Sequence, residues 1–198
     1  MLNHHTLLAA LAAAATLLIL PTGTTAAPTG TTTTTPPPNL TAASPLTTHT
    51  VVAGRGGLRF DPDNIVATPG SIIEFHFLPA NHSVVEAAFD APCVPKDAAS
   101  FDSGFFPVPA RADGGAVQSG EVFQFVVRDD GKPVWFYCAQ GKHCKGGMVG
   151  VVNQDLGSGK LLGGFRELAG RFGGVVAGVQ GRVVGGWRGE NPNPLAGF

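Results

Sequence analysis

The sequence predicts an all-β fold, a Greek-key β-sandwich or barrel, over residues 48–155. Short apolar runs separated by Gly, Pro, Asp and Asn fill that span. Several of the runs alternate apolar and polar residues, the period of a half-buried strand, and no long helical period interrupts them. At 198 residues, 43% hydrophobic and 14% charged, the chain is sized for one ordinary domain with tails. Its formal net charge of −1 lacks the Lys and Arg excess that phosphate binding demands, so no nucleic-acid partner is expected.

Residues 1–27 read as a secretory signal. The first fifty residues hold no Asp, Glu, Lys or Arg, and Leu7 to Leu20 is a continuous apolar run followed by Pro21. That run is short for a bilayer span and fits the apolar core of a signal, with small residues at Thr25 and Ala27 permitting cleavage near Ala27. No transmembrane helix is expected in the mature chain. Residues 28–47 form a Thr/Pro-rich linker, with Thr31 to Thr35 followed by Pro36 to Pro38. Such a segment has too little apolar surface to offset its chain entropy and reads as a disordered arm, plain or glycosylated. Asn39-Leu40-Thr41 is an N-glycosylation sequon on that arm.

The first expected strands are Thr48 to Ala53 and Asn64 to Thr68, the latter closed by Pro69-Gly70. In Ser71 to Phe77, Ile73, Phe75 and Phe77 share one face while Ile72, Glu74 and His76 share the other, so His76 is expected to face solvent. Ser83 to Ala87 continues the pattern. Glu121 to Val127 and Pro133 to Ala139 are expected to form a hairpin turned by Asp129 to Lys132. Met148 to Asn153 is the last strand. Between Phe89 and Gly120 the chain has loop chemistry over a length that calls for pinning or function. Cys93 is a candidate pin, and Phe105-Phe106 either packs on the core or lines the site, with core packing favoured.

After residue 155 the sequence predicts a Gly-rich tail, weakly helical or disordered. Leu161, Phe165, Leu168 and Phe172 follow helical spacing, but Gly163, Gly164 and Gly170 weaken a helix. Packing against the domain or fraying is expected rather than membrane binding. Residues 48–155 carry twelve Asp/Glu and eight Lys/Arg, whereas 156–198 carry two and five, so the tail is basic enough to touch acidic polymers such as those of a cell wall. Its charges, among them Arg182, Arg188 and Glu190, argue against a lipid-anchor signal.

The chemistry concentrates in Val134 to Val152. A strand-like run ends in Cys138, a glycine-bearing loop carries His143 and Cys144, and Met148 opens the next run. Thiolate, imidazole and thioether leaving one loop make the ligand set of a copper electron-transfer site, provided a second histidine joins them. His49 and His76 are expected to be solvated. His82, at the end of a loop leading into a strand, is the expected fourth ligand.

Three cysteines in a secreted chain leave one thiol outside any disulfide. His143 and Cys144 are neighbours whose side chains point opposite ways in an extended loop. Cys93 is therefore paired with Cys144, leaving Cys138 as the thiolate. The alternative pairs Cys138 with Cys144 and frees Cys93.

The loop Cys138-Ala-Gln-Gly-Lys-His143-Cys144-Lys-Gly-Gly-Met148 resembles the copper loop of the phytocyanin-type cupredoxins. Asn-His-Ser-Val at 81–84, Phe-Asp-Ser-Gly-Phe at 101–105 and Trp-Phe-Tyr-Cys-Ala-Gln at 135–140 are similar to the secreted cupredoxin-like proteins of fungi. The resemblance spans roughly residues 48–155. It implies one Cu(I)/Cu(II) ion on His82, Cys138, His143 and Met148, the Cys93–Cys144 disulfide, and electron entry through a partly exposed His143. Plant members usually have Asn after the first histidine, where this chain has Ser83, and they space that histidine further from the first cysteine.

The expected function is thus that of a secreted blue-copper one-electron carrier, monomeric, serving an unidentified redox protein or small-molecule donor or acceptor. The alternative is an extracellular copper-sequestering or wall-associated structural module. No enzyme is expected: four histidines outside the signal are too few for a multicopper oxidase, and neither a Ser-His-Asp signal nor paired carboxylates beyond turn residues are present. Asn81-His82-Ser83 is formally a second sequon, expected to be unoccupied.

Overall fold

The computed structural model describes residues 47–115, 117–128, 131–177 and 183–194. The expected signal, the Thr/Pro-rich arm with Asn39, the Asp129-Asp130 turn and Arg182 lie outside the described residues.

Among the described residues, eleven strands and one helix make a two-layer β-sandwich. In chain order these are β1 (Thr48–Ala53), β2 (Phe60–Asp61), β3 (Asn64–Ile65), β4 (Ile72–Phe77), β5 (Ala80–His82), β6 (Val85–Ala87), β7 (Phe106–Val108), β8 (Glu121–Val126), β9 (Val134–Tyr137), β10 (Val149–Val152), α1 (Leu162–Arg171) and β11 (Trp187–Glu190). One sheet runs β11-β8-β4-β1-β2 and the other β3-β10-β9-β6, while β5 and β7 form a small ribbon. The β1–β4 and β3–β10 pairs are parallel and the remaining pairs antiparallel.

Alternation along the strands decides what each face buries. Ile73, Phe75 and Phe77 of β4 and Phe123 and Phe125 of β8 meet Phe136 of β9 between the sheets. The Phe75 ring lies 5.3 Å from that of Phe136 and 5.9 Å from that of Phe60, both edge-on, the arrangement favoured by aromatic quadrupoles. Cys138 has the same parity as Phe136 and joins this inner core, together with Met148. The opposite face of β9 presents Trp135 and Tyr137 to a second cluster, where Phe165 of α1, Val149, Val151 and the Cys93–Cys144 pair pack.

Several expectations need correction. β8 and β9 are not a hairpin: each carries large apolar residues for the shared interior, and the chain crosses from one sheet to the other between them. His76 is not solvated. It is 2% exposed, with Nε2 2.7 Å from Glu74 Oε1 and Nδ1 3.1 Å from Gln118 Oε1. Asn191 joins this network by donating to Gln118 Oε1 at 3.1 Å, and Gln124 donates to Glu74. The outer face of β4 is therefore polar but covered, which alternation alone does not reveal.

The tail is also more ordered than its glycines suggest. β11 extends the larger sheet by pairing with β8, and α1 packs on β9 and β10. The helix buries Leu162, Phe165 and Ala169, whereas Leu161 and Leu168 remain exposed, so the expected apolar face is rotated. In the long loop, Phe106 is buried and stacks on Phe77 with centroids 3.9 Å apart, which settles it as core. Arg188 of β11 holds the same loop. Its guanidinium donates to Ser103 O at 2.9 Å and Phe105 O at 2.8 Å and lies 3.9 Å over the Phe106 ring.

Candidate metal centre

The candidate centre sits where β5, the end of β9 and the 141–147 turn converge. His82 closes β5, held by pairing opposite Phe106 of β7. Cys138 follows β9 directly, and its N–H donates to Met148 O at 3.1 Å. The turn is closed by His143 N to Gln140 O at 2.8 Å, and Met148 N donates back to His143 O at 3.0 Å. These bonds fix the spacing of Cys138, His143 and Met148 through backbone, independently of any ion.

The donor atoms of His82, Cys138 and His143 all lie within 4.8 Å of one another. Cys138 Sγ is 3.4 Å from His143 Nδ1, and the two imidazole centroids are 5.2 Å apart. His82 is 1% exposed, yet neither ring nitrogen has a hydrogen-bond partner. Burying an unsatisfied imidazole costs free energy, and an ion that accepts a lone pair would engage the one ring nitrogen that carries it in the neutral tautomer. Sulfur with two imidazoles suits a soft or borderline transition metal and not a hard cation. Met148 is fully buried in the same core cluster as Cys138.

Electrostatics without metal favour neutral donors. Burial, then the neighbouring His143, lowers the His82 pKa to about 4. The Pro79 carbonyl acts in the opposite sense without reaching hydrogen-bond geometry with either nitrogen. Burial lowers His143 as well and raises the Cys138 thiol. Hydrogen bonds from the Gln140 and Ser83 backbones and the Ser83 side chain partly offset the rise at Cys138.

The surroundings explain how the donors are held. Ser83 N–H donates to Cys138 Sγ at 3.4 Å, and Ser83 Oγ accepts from Ala139 N at 2.9 Å. Serine at this position therefore keeps a link between the two ligand segments, partly because the bond to sulfur comes from backbone. Asn81 Nδ2 donates to Gln140 Oε1 at 2.9 Å, tying the second sequon's side chain to the ligand turn. The disulfide joins Cys93 to Cys144 with S–S 2.00 Å and Cα–Cα 5.6 Å. It fastens the long loop behind the turn and leaves Cys138 as the free thiol.

Gly54 was not singled out by the sequence. It has φ +96°, and a Cβ there would stand 2.6 Å from His82 Nε2. No sequence signal marks it beyond its place after β1. Of the remaining histidines among the described residues, His49 is partly exposed on β1 and His76 belongs to the polar network, so neither joins the cluster.

The β-sandwich and its His-Cys-His cluster together suggest a copper site. Among curated proteins the chain is similar to two from Arthroderma benhamiae. It is 36% identical over 115 residues to an extracellular serine-rich protein, covering 58% of this chain and 42% of that one. It is 31% identical over 127 residues to a protein described as a probable GPI-anchored cupredoxin, covering 64% and 61%. The chain thus spans about half the length of the curated relatives it matches. Solved structures that align with it include an auracyanin from Roseiflexus castenholzii, at TM-score 0.35 and 18% identity over 54% of this chain and 94% of that one. A mutant fern plastocyanin aligns at TM-score 0.34 and 20% identity over 52% and 97%. No protein-family model matches.

Proposed function

We propose that the chain is a one-electron carrier that holds a single copper ion on His82, Cys138, His143 and Met148. The observation that carries this reading is the buried His82 with two orphan nitrogens, beside a thiol and a second imidazole within 4.8 Å. Bound copper would supply the one-electron Cu(I)/Cu(II) couple. The protein's part is to present two imidazoles and a thiolate on a frame that backbone bonds already hold, so little rearrangement accompanies a change of charge. Met148 is the proposed weak axial donor of a blue-copper set. Phe136 and the inner core exclude water behind Cys138. His143, the partly exposed donor, is the proposed route for electrons in and out.

In this reading the chain is a carrier and not an enzyme. We place it outside the cell or at its surface, on the apolar run at 7–20 and the names of its relatives, one extracellular and one GPI-anchored. No helix among the described residues is long and apolar enough to cross a membrane.

Voltammetry of the copper-loaded protein tests the reading. A reversible one-electron wave is expected, and Met148→Leu should keep a wave at a displaced potential. Tight copper binding without a reversible wave would contradict electron transfer and favour sequestration.

A further inference from the structure

Two loops frame the exposed end of the centre. The turn from Gly54 to Arg59 reaches His82 through Gly54, and Leu58 Cδ1 would stand 3.8 Å from a Cβ on Gly146 of the 141–147 turn. These two loops carry Arg55, Arg59, Lys142 and Lys145. Of the eight Lys and Arg between residues 48 and 155, half therefore sit here, while none of the twelve Asp and Glu of that span does. Asp61 lies 3.3 Å from both Arg55 and Arg59. Lys145 Nζ leans toward the Phe172 ring at 5.7 Å, and Lys142 is exposed. Arg166, at the border, is matched by Asp63 at 2.6 Å. The domain is acidic as a whole but basic around His143.

We propose that this end of the sandwich docks a carboxylate-rich face of a redox protein, with Arg55, Arg59, Lys142 and Lys145 framing His143. The inference rests on the electron-carrier reading and adds the chemistry of its partner. The centre of the frame is poor in side chains, with Gly56, Gly57, Gly141 and Gly146 exposed and Leu58 47% exposed. An exposed apolar side chain within a charged rim matches the anatomy of a protein–protein interface. Cavities of about 290 and 390 Å³ lie elsewhere, near Trp135 and near Asp102, and neither is lined by a residue of these loops. Complementary charge of this kind steers encounter and fixes which partner is accepted.

The test titrates the isotopically labelled full chain, with and without Cu(I), with a short polyglutamate peptide at low salt, following backbone amide shifts by NMR. Shifts confined to residues 54–59 and 141–147 are expected, fading as salt rises, with none from polylysine of equal length. Arg59→Gln with Lys142→Gln should weaken polyglutamate binding roughly fivefold, the size expected for two exposed charge pairs, while leaving the amide spectrum of the core unchanged. Shifts centred elsewhere, or an unaffected double variant, would overturn the docking surface. A wild-type protein that stays colourless with Cu(II) would instead overturn the carrier reading, and with it the redox partner, even where the peptide map is as expected.

Discussion

Replacing Gly54 by alanine should damage the centre through His82. The new Cβ would stand 2.6 Å from His82 Nε2 and 3.3 Å from Cδ2, at a residue whose φ is +96°. The backbone conformation alone costs an L-residue about 1–2 kcal/mol. To restore ordinary contact the imidazole must retreat by about 0.8 Å, and a packed core resists that at about 1–3 kcal/mol more. A ligand displaced that far leaves the roughly 0.5 Å tolerance of a working site, so copper affinity should fall at least about tenfold. Gly56→Ala is the control, because Gly56 has φ +67° but nothing within 4 Å of its virtual Cβ. Urea unfolding of the metal-free variants separates the backbone cost from the contact cost, and competition titration measures the copper affinity. Equal stability and equal affinity in the two variants would refute the claim that Gly54 makes room for His82.

Other perturbations have equally definite outcomes. Cys93→Ala together with Cys144→Ala opens a cross-link between residues 51 apart and should cost about 4 kcal/mol in urea unfolding on the chain-entropy account. In the metal-free protein His82 has a folded pKa of about 4 against 6.5 unfolded. The stability that depends on its neutral form is thus complete above pH 6.5 and lost as pH falls through 4. Unfolding free energies measured across that window should drop by about 2–3 kcal/mol more in wild type than in His82→Asn. Arg188→Met removes charged donors to two backbone carbonyls and a cation over Phe106, and should destabilise by about 2–3 kcal/mol. Arg188→Lys should recover only part of this in thermal unfolding, because an ammonium cannot reproduce the planar fork.

What the sequence made legible was set by how local the governing physics is. The bounds of β1 and the core of β4, β8, β9 and β10 follow from runs of Val, Ile and Phe at period two, and the cysteine and histidine spacing of the 138–148 loop put Cys138 and His143 in one cluster. The pairing of Cys93 with Cys144 was expected from His143 and Cys144 facing opposite ways in an extended loop, and it is present although residues 141–147 form a turn. Other features depend on contacts distant in sequence. His76 looked solvated because its cover, Gln118 and Asn191, comes from a loop and from the tail. β5 and β7 are too short to show a period and exist because His82 and Phe106 face each other across the ribbon. The face of α1 was misread because its glycines dilute the helical pattern, and Leu162 with Ala169 proved to be the buried flank of Phe165. Gly54 carries no motif; its meaning appears only once His82 is seen lying against it.

The visible absorption spectrum of the purified protein titrated with Cu(II), beside that of Cys138→Ser, tests the central claim most directly. The account predicts an intense blue colour that saturates at one copper per chain in the wild type and is absent from the variant. A colourless wild-type complex, or a blue complex that survives Cys138→Ser, would contradict it.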